Sequence, residues 1–276
     1  MDNNELFQID IHRIVSEKLG NRRKIPKFLT RLLAWIVKQD GLNAFLRYSG
    51  TAVGVETMRN AVDYFDIHLN LIHPEKIPKE GKRLIFVSNH PLGGLDGICL
   101  SAVLGNLFDG KIKYLVNDLL YFIKPLQPLF IPINKHGSQA KQDMLSLNAA
   151  FLSDNQIITF PAGLCSRKQH GIIADMEWKK MFVSKAIEYH RDVVPIYFEA
   201  ANSAFFYHLA TIRKRLKLKF NLEMLFLPRE MFKAKGSTFT LYFGEPIPWQ
   251  TFDSSKSMPE WAEWVKQMVY ELKNNK

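Results

Sequence analysis

Leu84-Ile85-Phe86-Val87-Ser88-Asn89-His90-Pro91-Leu92-Gly93-Gly94-Leu95-Asp96 is the stretch on which the fold turns. The apolar run at its start reads as a buried strand bounded by turn residues. After Asp96, the residues Ile98, Leu100, Ala102, Val103, Leu104 and Leu107 read as a helix. The unit is therefore strand, tight loop, helix. Such a loop projects His90 from the strand's C-terminal edge, where open α/β sheets place their ligands. Asp96 falls in the first turn of the helix and can fold back towards the imidazole. A carboxylate that takes one ring N–H fixes the tautomer and leaves the other nitrogen free as a base.

The pattern repeats outward. Strands are expected at 83–88, 112–116, 129–133, 156–160, 193–198 and 238–243, and helices at 95–107, 138–153, 177–190, 203–216 and 258–273. Alternation of this kind argues for an α/β fold. The sheet is expected to be mixed, largely parallel and covered by helices. Residues 1 to about 70 read as helices, with patterns starting near Glu5-Leu6-Phe7, over 27–46 and over 52–71. Pro74 and Pro78 mark a loop. The expected division is an N-terminal helical segment, 1–75, and an α/β domain, 76–276.

At 276 residues, 47% hydrophobic and 23% charged, the composition is that of a folded globular protein. No apolar run reaches the roughly 18 residues that span a bilayer. The opening MDNNELFQID is polar and acidic, unlike a signal peptide. Cys99 and Cys165 are the only cysteines, which points to a reducing compartment. A net charge of +10 directs attention to nucleic acid, anionic lipid and acidic carriers. Two basic stretches interleave cations with apolar and aromatic residues. One is 27–38, with Trp35; the other is 205–220, with Arg213, Lys214, Arg215 and Lys217. Each fits the plane of an anionic membrane, or else a core helix with a basic solvated face. No nucleic-acid-binding motif is present, so no nucleic-acid partner is expected.

Three more strings stand out. Phe160-Pro161-Ala162-Gly163-Leu164-Cys165-Ser166-Arg167-Lys168 follows the strand-like Gln156-Ile157-Ile158-Thr159. It reads either as an anion or carbonyl cradle or as a basic surface turn. The others are Ile131-Pro132-Ile133-Asn134-Lys135-His136-Gly137 and Val193-Val194-Pro195-Ile196. Pro195 inside a strand-like run marks an edge or a bulge. Glycine-rich phosphate loops, Cys-x-x-Cys and His-Glu-x-x-His are absent. Ser88 and Ser166 lack a nucleophile elbow. His90, His136, His170 and Asp96 are the residues a metal would need, at spacings that match no metal pattern. His68, His73, His190 and His208 read as surface or structural histidines.

Taken in order, these strings resemble the four motif blocks of the glycerolipid acyltransferase family, which includes the bacterial lysophosphatidate and glycerol-3-phosphate acyltransferases. His90 and Asp96 resemble its His-x4-Asp block. Ile131 and its neighbours lie where the second block falls. Phe160-Pro161-Ala162-Gly163 resembles its Phe-Pro-Glu-Gly block, and Val194-Pro195-Ile196 its fourth. Gly244-Glu245-Pro246-Ile247 is similar to a strand end near the family's C-terminus. The resemblance spans roughly residues 82 to 250. Five residues separate His90 from Asp96, one more than in the family pattern, and Gly93-Gly94 can absorb the extra one. Ala162 stands at the family glutamate, Cys165 at the following arginine, and Lys135 at another arginine. In the family those groups hold the acceptor's phosphate. This variant is similar to a haemolysin-like sub-branch that includes enzymes of ornithine- or glycine-lipid synthesis.

The resemblance implies a membrane-peripheral enzyme at the cytoplasmic face. It would move an acyl chain from acyl-CoA or acyl-carrier protein to a hydroxyl of a lyso-lipid. His90 would be the base and Asp96 its orienter. Substrate would meet Asn89, Gly93, Gly94, Lys135, Phe160, Pro161, Ala162, Gly163, Ser166, Arg167, Val194, Pro195 and Ile196. Backbone N–H groups near Gly93-Gly94 or Ala162-Gly163 would receive the oxyanion. No metal or permanently bound cofactor is expected; the partners are an anionic membrane, the acceptor lipid and the acyl carrier. The competing readings are a non-catalytic lipid-surface protein and a metal-dependent hydrolase.

Overall fold

The computed structural model describes residues 7–19, 26–78, 81–116, 123–132, 140–218 and 220–274. The chain opens with the helices α1 (Ile11–Leu19), α2 (Lys27–Ile36), α3 (Gln39–Ser49) and α4 (Val55–Tyr64). Strand β1 (His68–Ile72) then precedes β2 (Leu84–Ser88) and α5 (Gly94–Leu107). Next come β3 (Ile112–Val116), β4 (Phe130–Pro132), α6 (Ala140–Leu152) and β5 (Gln156–Thr159). A hairpin of β6 (Arg167–Gln169) and β7 (Ile172–Ala174) leads to α7 (Met181–Tyr189) and β8 (Asp192–Glu199). The chain closes with α8 (Ala204–Arg215), α9 (Leu227–Lys233), β9 (Thr238–Phe243) and α10 (Met258–Glu271).

The main sheet has the order β1-β9-β8-β2-β5-β3-β4. From β8 to β4 every pairing is parallel; β9 runs antiparallel to β8, and β1 lies parallel to β9. This is the mixed, largely parallel α/β sheet expected. Parallel neighbours need crossovers, and the crossover helices cover both faces. That is why β2 and β5 are buried at every position. Side-chain alternation along β2 divides two cores. Leu84 and Phe86 pack with Met58 and Ala61 of α4 and with Leu95, Leu100 and Leu104 of α5. Ile85 and Val87 pack with Phe182 and Val183 of α7 and with Trp261, Val265 and Val269 of α10. α4 comes so close to α5 that a Cβ on Gly105 would lie 2.4 Å from Val55 Cγ1.

The N-terminal region departs from its helical reading. The pattern over 27–46 is broken at Lys38, whose φ of 55° separates α2 from α3. The pattern over 52–71 stops at Tyr64, and the chain turns at Asp66 (φ 51°) into β1. β1 pairs with β9 alone and is largely exposed, so it lacks the apolar run that reveals an inner strand. It joins the same sheet as β2, and Phe45, Leu46 and Val55 share a core with Phe86. α7 starts at Met181 rather than 177, while β6, β7 and α9 are elements the pattern did not reveal. Pro195 lies in an inner strand, not at an edge. It faces a bulge: the pairs Ile196–Phe243 and Val193–Ile247 are out of register by one residue. The missing proline N–H therefore falls where β9 has already ended.

Candidate active site

β5, β2 and β8 are adjacent and parallel, so the loops that follow β2 and β5 leave the sheet side by side at its C-terminal edge. The loop after β2 carries His90. Asn89, just before it, is buried and ties this strand end to the next: its Nδ2 donates to Phe198 O at 2.9 Å, and its Oδ1 accepts from Phe198 N–H at 2.7 Å. Asn202 Nδ2 donates to Pro91 O at 2.9 Å and holds the far side of the loop.

His90 Nδ1 lies 2.9 Å from Asp96 Oδ2. The His90 side chain is 17% exposed and that of Asp96 is fully buried. Gly93, at φ 81°, turns the chain so that the first turn of α5 folds back on the ring. A Cβ there would meet Leu227 Cδ1 at 2.8 Å and Cys165 Sγ at 2.9 Å, so glycine is needed twice over. Asp96 also accepts N–H bonds from Leu92 (3.0 and 3.2 Å) and Gly93 (3.0 Å). Burial pushes the Asp96 carboxyl up from the ordinary carboxylate range, against the pull of His90 and those two N–H groups. The start of α5 also favours its negative charge. The Phe160 ring stacks on the imidazole at 4.1 Å between centroids, and Tyr114 lies behind it at 6.1 Å. Of the loop residues 91–96, Gly94 alone is exposed, and a Cβ there would meet open space.

The segment after β5 wraps the other side. Ser166 N–H donates to His90 O at 2.8 Å. Ser166 Oγ donates to Asp175 Oδ1 at 2.6 Å, and the same oxygen accepts the His90 N–H at 3.2 Å. Pro161 and Ala162 are buried, and Gly163 is exposed with φ 68° and its N–H donated to Phe160 O. The Gly93 N–H is likewise taken, by Asp96. Of the residues Gly93, Gly94, Ala162 and Gly163, it is Gly94 and Ala162 whose N–H groups no protein acceptor takes among the described residues, and the N–H groups of Leu95 and Leu164 beside them are likewise untaken.

Arg167 points away from this loop edge. Its guanidinium pairs with Glu223 Oε1 at 2.9 Å, donates to Cys165 O at 2.6 Å and covers the Phe206 ring. Glu223 is fully buried and takes a second cation, Arg213, at 2.9 Å. Arg213 is therefore part of an internal ion triad rather than of the basic surface it was read into. Val194, Pro195 and Ile196 are buried inside β8, paired with residues 86–88 below the edge. Lys135 and His136 lie outside the described residues. Cys165 is buried, and desolvation pushes its thiol up to about 12; Cys99 is buried as well and its thiol is also raised. Neither suits a nucleophile. Among the described residues no three His, Cys, Asp or Glu side chains group as metal ligands, and His170 is exposed in the turn between β6 and β7.

Two residues that hold the His90 loop were not singled out by the sequence alone. Asp175 is separated from His90 by 85 positions, and Trp178 bonds it through Nε1 at 2.9 Å. Both lie in the segment before α7; Trp178 falls within the 177–190 stretch that was read as helix, and Asp175 just ahead of it.

A fully buried carboxylate thus stands behind an imidazole that is only partly exposed, on a strand–loop–helix unit, an arrangement that is able to accept a proton. The family model described as Acyltransferase matches residues 13–276, and the chain belongs to that family. It is similar to a lyso-glycine lipid O-acyltransferase of Bacteroides thetaiotaomicron, 51% identical over 273 residues, covering 99% of this chain and 100% of the relative. A lyso-glycine lipid O-acyltransferase of Phocaeicola vulgatus is also 51% identical over 273 residues, covering 99% of this chain and 98% of the relative. The fold is similar to the crystal structure of the 1-acyl-sn-glycerophosphate (LPA) acyltransferase PlsC from Thermotoga maritima, at a TM-score of 0.50 and 16% identity. That match covers 95% of this chain and 88% of the other. The chain is thus an acyltransferase, as its motif blocks implied.

Proposed function

We propose that the chain is a membrane-peripheral O-acyltransferase that esterifies the hydroxyl of a lyso-lipid with an amino-acid headgroup, a lyso-glycine lipid in the first instance. The observation that carries the chemistry is the contact of His90 with the fully buried Asp96 at 2.9 Å, beside the open start of α5. Nδ1 faces the carboxylate, so the other ring nitrogen takes the proton of the acceptor hydroxyl as its oxygen attacks the thioester carbonyl. Asp96 holds the ring and stabilises the imidazolium that forms. The tetrahedral oxyanion meets the Gly94 N–H at the positive end of α5, with Ala162 as a second donor. Collapse of the intermediate expels the thiolate of coenzyme A or acyl-carrier protein, which leaves with the proton from His90. The thioester is already activated, so no acyl-enzyme is needed.

Two further observations support the acceptor and the membrane. Arg167, just past the third block, is held by Glu223, and Cys165 and Ala162 stand where the family's phosphate-binding groups would be, while Lys179 lies beside Gly163, its Nζ 2.6 Å from where a Cβ would stand. A phosphate brought into that site would not gain the Arg167 guanidinium, which Glu223 already holds. The relatives named above act on lyso-glycine lipids by name. As for the surface, no helix among the described residues is long and apolar enough to cross a membrane. α2 buries only Thr30 and turns Phe28 (67% exposed), Leu32 and Trp35 (63%) outward. α8 and the segment after it expose Ile212, Leu216 and Phe220 between Lys214, Arg215 and Lys217. Such faces fit the boundary layer of an anionic bilayer, at the cytoplasmic side where acyl thioesters are made.

The test is a side-by-side assay of purified protein with one acyl thioester and either lyso-glycine lipid or lysophosphatidate. Faster acylation of lyso-glycine lipid is the expected result. A clear preference for lysophosphatidate reverses the reading of the acceptor.

A further inference from the structure

We infer that Asp175 is a positioning residue for the reaction, clamping the backbone on which His90 is mounted. The inference rests on the acyl-transfer chemistry proposed for His90. Asp96 sets the angle of the imidazole, but it cannot fix where the ring's own backbone stands. His90 lies at the point where β2 has ended, so no ladder bond secures it. Its N–H goes to Asp175 Oδ1 at 3.2 Å, and its C=O takes the N–H of Ser166 at 2.8 Å. The Ser166 hydroxyl returns to the same Asp175 oxygen at 2.6 Å. One carboxylate oxygen thus locks the β2 loop to the β5 loop.

The carboxylate itself is held from elsewhere. Trp178 Nε1–H donates to Oδ2 at 2.9 Å, and the Asp175 N–H donates to the Tyr270 hydroxyl oxygen of α10 at 2.7 Å. Asp175 is only 4% exposed and takes part in no ion pair among the described residues. A buried carboxylate satisfied by uncharged donors is expensive to keep and strongly fixed in direction. Its three donors come from the catalytic loop, the third motif block and the approach to α7. Placing the base within hydrogen-bond reach of a hydroxyl is the part of catalysis most sensitive to small displacements.

The test has two arms. In the first, the exchange of the His90 amide proton is followed by NMR in wild type and Asp175→Ala. Faster exchange at His90 and Ser166 is expected, with Ile85 and Phe86 unchanged; unchanged exchange at His90 overturns the clamp without reference to activity. In the second, Asp175→Ala is expected to lower kcat about 100-fold, as a displacement of about 1 Å can do, with the KM for thioester within about twofold. Asp175→Asn combined with Trp178→Phe keeps the oxygen that serves His90 and Ser166 and removes the indole N–H that the amide would face. That double variant is expected to return most of the lost kcat. Undiminished kcat in Asp175→Ala, or no recovery in the double variant, overturns the inference. A wild-type protein that consumes no thioester overturns the proposed function instead, and the exchange arm still decides the clamp.

Discussion

The two ends of strand β2 bury charge in opposite ways. At its start stands Arg191, fully enclosed. Its guanidinium donates to the carbonyls of Leu84, Phe151, Ser153 and Asn155 at 2.5–3.3 Å, and so closes the open C-terminal turn of α6. Desolvation lowers its pKa to about 10, yet every direction around it is filled by protein. At the other end Asp96 is equally buried, but its partner His90 keeps an open side. Burial of a charge is common to both and so does not mark function. What separates them is saturation: Arg191 has no capacity left for a ligand, while His90 holds one nitrogen against Asp96 and, among the described residues, the other is left without a hydrogen-bond partner.

Asp96→Asn breaks the catalytic end. The amide can still be housed at the start of α5, so the fold is retained, but the ring loses its tautomer control. A fall in kcat of roughly 10²–10⁴-fold is expected in a thioester-consumption assay, with a melting temperature close to that of wild type. Arg191→Met breaks the structural end and should reverse that profile. Several buried carbonyls lose their donor, each worth about 1–3 kcal/mol, so thermal unfolding should shift down by about 10 °C. Activity per folded molecule at low temperature should match wild type.

The contrast also explains what could be read from the sequence. The sheet was legible because β2, β5 and β8 are inner parallel strands with continuous apolar runs, and His90 and Asp96 sit six residues apart within one loop. β1 was not, because an edge strand such as His68-Leu69-Asn70-Leu71-Ile72 carries too little apolar pattern to compete with a helical reading. Arg191 was invisible because its partners are backbone carbonyls, which leave no trace in residue types. Asp175 and the Arg167–Glu223–Arg213 triad were invisible because their partners are distant in the chain. The triad also splits the basic stretch near residue 215 into an internal part, Arg213, and a surface part.

That split sharpens the comparison at the membrane, where the smallest effect is expected. Reversing Lys214, Arg215 and Lys217 to Glu should weaken sedimentation with anionic vesicles by about tenfold or more at physiological salt, since each cation contributes about 1 kcal/mol before screening. Neutral vesicles should bind weakly throughout, and rising salt should release the wild type. Binding that ignores both lipid charge and salt would make this face an ordinary solvated surface.

The most direct test is thioester consumption by purified His90→Ala with lyso-glycine lipid as acceptor, beside the wild type and with folding checked by circular dichroism. The account predicts a folded variant whose turnover falls by at least about 100-fold, the lower bound for a positioned general base. Near-wild-type turnover in His90→Ala would contradict it.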